Sequence, residues 1–172
     1  MAKRRSRVRR PKQLEPEERI AEPQFDQFLG LSAALTGFSR AELEGTGMQQ
    51  TYYAFLPQIA GEAVFGEILT RWRDLSSGTD PRYYDELIRE EILDDDFMGP
   101  VAKNLTFLWY TGQWNQLPWA WRNTHGANMQ DNTHIVSPQS YVEGLVWKAM
   151  HTHPPAAKPP GFASWALKPK GT

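Results

Sequence analysis

Large apolar side chains recur at steps of three and four near the start of this 172-residue chain: Phe25, Phe28, Leu29, Leu35 and Phe38, with the small Ser32 between them. That spacing puts one apolar face on a helix and is incompatible with the two-residue period of a strand. The stripe ends at Gly37, a natural helix stop. Met48, Tyr52, Phe55, Leu56 and Ile59 repeat the pattern, and Val64, Ile68, Leu69, Trp72 and Leu75 repeat it again.

The punctuation agrees with the periodicity. Ser39-Arg40-Ala41-Glu42 reads as a capping box, in which serine hydroxyl and glutamate carboxylate satisfy each other's backbone N–H groups. Ser76-Ser77-Gly78 breaks the third stripe, and Asp80-Pro81 opens a new helix with a cap followed by proline. Tyr84, Leu87, Ile88 and Ile92 carry it to Asp94-Asp95-Asp96, which complement the N-terminal dipole of a helix from Phe97 to about Tyr110. Ser137-Pro138 starts a last helix that runs to Ala149. From Thr111 to Ser137 the periodicity disappears, which predicts a long loop rich in Gly, Asn, Gln and Trp.

The expected fold is therefore all-α, a compact helical domain of about five or six helices. Residues 1–24 read as a basic disordered tail and linker, 25–150 as the helical domain, and 151–172 as an extended, proline-rich C-terminal arm.

Charge is unevenly placed. Residues 1–12 hold seven of the 19 Lys and Arg and no acid, so the rest of the chain carries 12 basic and 20 acidic groups. A basic tail on an acidic body is not the footprint of a nucleic-acid-binding domain, so no nucleic acid is expected as a partner. Arg4-Arg5 and Arg9-Arg10 are followed by PKQLEPEERIAEPQ, which has neither an apolar stretch nor a small-residue cleavage site. The reading is a cytoplasmic chain with no export signal of its own.

No residue pattern supports catalysis. Cysteine is absent, which removes thiolate metal sites and cysteine nucleophiles. There is no G-x-S-x-G elbow and no glycine-rich phosphate loop. His125, His134, His151 and His153 lack carboxylates at ligand-like spacing and read as structural or surface histidines. The expectation is no catalytic, cofactor-binding or metal-binding residue in this chain.

Aromatic residues carry the information instead, with seven Trp, six Tyr and eight Phe. Trp114, Trp119 and Trp121 stand in polar loop sequence, and Phe162 and Trp165 stand on the arm. Such rings serve as core cover, as anchors at a protein interface, or as sugar-stacking platforms. We take Trp109, Tyr110, Trp114, Trp119, Trp121, Trp147, Phe162 and Trp165 as the candidate interface, with the arm docking on the partner. The alternatives are a carbohydrate-binding module using Trp114, Trp119 and Trp121, or a nucleic-acid adaptor using residues 3–12.

Three segments, FLGLSAALTGF, NLTFLWYTGQW and VSPQSYVEGLVWKAMHTHPPAAKPPGFASWALKP, resemble the small subunit of bacterial FAD-dependent, membrane-associated sugar and polyol dehydrogenases. The sorbitol and fructose dehydrogenase small subunits are the nearest type, and the likeness runs from about Phe25 to Pro169. The resemblance implies a non-catalytic accessory subunit. Its partner would be a large subunit of the glucose–methanol–choline oxidoreductase type, which carries the FAD, with a cytochrome subunit passing electrons onward. It also implies peripheral membrane association through the complex. Relatives carry a twin-arginine signal, so the alternative location is the periplasmic face of the inner membrane, reached together with the partner.

Overall fold

The computed structural model describes residues 16–126 and 128–154, the first seven of them as backbone only. The architecture is mostly helical, as the periodicity predicts. Helix α1 (Pro16–Thr36) leads into α2 (Arg40–Gly45), α3 (Gln49–Ala60) and α4 (Glu62–Ser76). A 3₁₀ turn (Pro81–Tyr83), α5 (Tyr84–Ile88) and a π-helical turn (Arg89–Leu93) follow, then α6 (Gly99–Thr111). After α6 come β1 (Gln113–Trp114), α7 (Trp119–His125), β2 (His134–Ile135), α8 (Pro138–Val142) and α9 (Leu145–Ala149). Among these residues no helix is long and apolar enough to cross a membrane.

Helix α6 is the hub, packed against α1, the π-helical turn, β1, α8 and α9. Its Val101, Leu105, Leu108 and Trp109 are buried with Phe28 and Leu31 of α1, Tyr52 and Leu56 of α3, and Ile68 and Trp72 of α4. Trp109 stacks on Phe28 at 6.4 Å between ring centroids and takes Tyr52 edge-on at 4.8 Å. Burial pushes the Tyr52 phenol well above its usual range, because no water reaches the charged form.

The capping signals work as read. Glu42 N–H bonds Ser39 Oγ while Glu42 Oε2 accepts the Ser39 N–H at 2.9 Å, and Gly37 ends α1 at a φ of 74°. In the turn just before α6, Asp95 Oδ1 accepts N–H bonds from Phe97 and Met98 at 2.9 and 2.7 Å.

Five expectations are corrected. Helix α1 begins at Pro16, inside the segment assigned to tail and linker; proline followed by two glutamates makes a good first turn, and Pro23 does not end the helix. The helix after Asp80 widens into a π-helical turn, with Asp94 N–H bonded to Arg89 O. Helix α6 starts at Gly99 rather than Phe97, and the π-helical turn lies so close to it that a Cβ on Gly99 would be 2.3 Å from the Leu93 carbonyl oxygen. The final helix is two, broken at Gly144, where a Cβ would meet Tyr110 O at 2.7 Å. Residues 111–137, expected as an unstructured loop, contain β1, α7 and β2. The arm beyond Pro154 and the tail before Pro16 lie outside the described residues.

Candidate partner interface

The connection from β1 to β2 is organised around a residue that sequence reasoning passed over. Asp131 is buried, and its Oδ1 accepts the Trp114 indole N–H at 2.8 Å. The Leu117 N–H lies 3.3 and 3.2 Å from the two oxygens, and Arg122 Nε lies 3.2 Å from Oδ2 as an ion pair, not directed along a hydrogen bond. The backbone of Asp131 is held too: its N–H donates to Asn128 O and its carbonyl accepts from Gln116 Nε2. A carboxylate taken out of water survives only when so surrounded. The sequence did carry a signal, since Asp131 is the lone acidic residue between Asp96 and Glu143.

Asn104 of α6 clamps the other side of the connection. Its Oδ1 accepts the Asn115 N–H at 3.0 Å and its Nδ2 donates to the Asn115 carbonyl. Asn128 Nδ2 donates to Gln58 O at 2.6 Å, and β1 pairs antiparallel with β2. Backbone polar groups in this segment thus find fixed partners despite the missing periodicity.

This scaffold sorts the candidate rings. Trp109, Trp114 and Trp121 are core residues, not interface: Trp114 lies edge-on to Phe55, and Trp121 stacks on Phe97 while its N–H donates to Phe97 O at 2.8 Å. Polar neighbours in sequence conceal this for Trp114 and Trp121, because each of these two indoles satisfies its one N–H and then buries the ring. Burial of Trp114 and Trp121 also removes the three-tryptophan sugar platform. Tyr110 is half-buried, donating to Thr36 O at 2.8 Å, and Trp147 is half-buried, donating to Tyr141 O at 2.7 Å. Phe162 and Trp165 lie outside the described residues.

Trp119 behaves differently, with 76% of its surface exposed at the start of α7. The preceding residue, Pro118, lines a groove of about 420 Å³ together with Pro100, Lys103, Phe107, Gln116 and Leu117. Phe107, 40% exposed, was missed as a candidate. It lies on the α6 face of Pro100 and Lys103, away from the buried positions 101, 105 and 108, and that spacing could have found it. The result is an apolar groove beside an uncovered indole, both on backbone fixed by Asn104 and Asp131. No cluster of three or more metal-ligating side chains occurs among the described residues.

No protein-family model, curated protein or solved structure matches this chain.

Proposed function

We propose that this chain is the non-catalytic small subunit of an FAD-dependent sugar or polyol dehydrogenase, docking on the large flavin-bearing subunit through the Trp119–Phe107 face. The observation that carries the docking role is the exposed Trp119 on a hydrogen-bonded scaffold. Exposed, preorganised tryptophans make strong interface anchors because little conformational freedom is lost when they are covered. The three sequence segments that resemble dehydrogenase small subunits carry the choice of partner. This reading asks no residue of the chain to hold the flavin; its work is to bind and stabilise the large subunit, from which a cytochrome subunit takes the electrons. Membrane association then comes through the complex.

The test is affinity capture of the tagged full chain from its native cell, followed by an absorbance spectrum of the eluate. A co-eluting flavoprotein that oxidises a sugar or polyol supports the proposal. Capture of the chain without any flavoprotein, or a flavin bound to the chain expressed alone, overturns it.

A further inference from the structure

A second pocket, of about 410 Å³, opens between α1, the start of α2, the end of α4 and α5. Ala33 and Ala34 of α1 give it an apolar wall. The Tyr84 ring stands edge-on to Trp72 at 5.2 Å between centroids, and its hydroxyl donates to Ser76 O at 3.3 Å.

Two hydrogen-bond donors converge on the bare backbone of Gly30. A Cβ built there would lie 2.6 Å from Arg40 Nη2 and 2.9 Å from Trp72 Nε1, so only glycine lets both groups come this close. Trp72 is 4% exposed, yet its N–H has no acceptor among the described residues. Trp114, Trp121 and Trp147, in contrast, each place theirs on a protein oxygen at 2.7–2.8 Å. A buried donor left unpaired is costly, and this one faces a pocket with room for an acceptor. Arg40 supplies charge beside it: Nη1 pairs with Asp26 Oδ1, while Nη2 is the nitrogen turned to Gly30.

We infer that this pocket binds the carboxylate of a small organic acid, held by Trp72 Nε1 and Arg40 Nη2 over Gly30. Hydrogen bonds from a guanidinium to a carboxylate are strong and directional, and the indole N–H can only donate. Charge selects a monoanion. Asp26 already offsets Arg40, so a phosphate dianion would meet the Asp26 carboxylate with little net positive charge to hold it. Ala33, Ala34 and the Tyr84 ring leave an apolar lining for a short hydrocarbon tail. The site is separate from the Trp119–Phe107 face and does not depend on the dehydrogenase reading.

The test titrates the isotope-labelled full-length chain with butyrate and follows indole N–H resonances by NMR. The Trp72 signal is assigned among the seven tryptophans by its loss in Trp72→Phe. A saturable shift of that signal is expected with butyrate, and none with butyramide or inorganic phosphate at the same concentration. Arg40→Gln, at an exposed side chain, should keep the melting transition and weaken butyrate about tenfold or more. Gly30→Ala, which puts a methyl group where the two donors meet, should abolish the shift. A Trp72 signal indifferent to butyrate, or moved equally by butyramide, overturns the inference. So does a response to phosphate alone, or an unchanged affinity in Arg40→Gln. A capped tripeptide with a central glutamate presents the same group on a protein backbone; tighter binding of that peptide than of butyrate overturns the assignment to a small acid.

Discussion

Trp114 and Asp131 stand 17 residues apart in the chain and meet in the interior, indole N–H to carboxylate oxygen at 2.8 Å. That bond converts a stretch with no helical or strand periodicity into a fixed scaffold. Further along the same connection Trp121 is buried with its N–H on Phe97 O, while Trp119 stays at the surface.

Replacing Asp131 by Ala strands the Trp114 and Leu117 N–H groups and the Arg122 side chain together. Breaking a buried charged network of this kind costs about 3–5 kcal/mol. Thermal unfolding of the Asp131→Ala chain should therefore fall by on the order of 10 °C. Asp131→Asn, which keeps one acceptor oxygen, should lose less. A loss under about 1 kcal/mol for Asp131→Ala would remove Asp131 from its central place.

Trp119 and Trp121 are two residues apart and should respond in opposite ways. Trp121→Ala empties a core position and should destabilise the chain by about 3–5 kcal/mol in urea unfolding. Trp119→Ala should change stability by no more than about 0.5 kcal/mol. It should weaken capture of the partner by about thirtyfold or more, the usual loss for a hot-spot ring. Equal partner affinity for Trp119→Ala and the native chain would discard that face as the docking site.

Gly112 ends α6 with a φ of 72°, and a Cβ there would lie 2.3 Å from the backbone C and O of Ser140. Neither neighbour can swing aside, because Ser140 is buried and its Oγ donates to Gly112 O at 2.9 Å. Gly112→Ala should lower stability by about 2–5 kcal/mol, combining left-handed strain with overpacking. Equilibrium denaturation measures it, and a neutral result would mean that α8 does not close against the end of α6.

The hydrogen bond from Lys148, with the Ser39 backbone and hydroxyl behind it, holds the Glu42 carboxyl down at about 2 from an ordinary 4.5. A carboxylate with a lowered folded pKa stabilises the fold above its unfolded pKa, and that contribution disappears as pH falls through the folded one. The stability difference between the native chain and Glu42→Gln should be constant above about 4.5 and shrink towards pH 2. Melting temperatures of both chains across that range check it. A difference that does not change with pH would mean that the Glu42–Lys148 bond does not persist in solution.

The helices were legible because their information is local. Phe28, Leu56 and Ile68 announce a buried face by spacing alone, and Ser39, Glu42 and Ser137 announce helix starts through bonds that span three residues. The close packing at Gly144 and Gly99 was not legible, since each glycine lies against a carbonyl of another element.

The aromatic residues show the same division at the candidate site. Composition and polar surroundings mark Trp114, Trp119 and Trp121 as unusual but treat all three alike. Which ring is buried depends on Asp131 and Phe97, residues 17 and 24 positions from the indoles they bind. A helix face is dictated by repetition along the chain, so the sequence by itself determined an all-α body. The fate of a single ring is dictated by the distant residues that pack around it, and only the tertiary structure decided that Trp119 would be left outside.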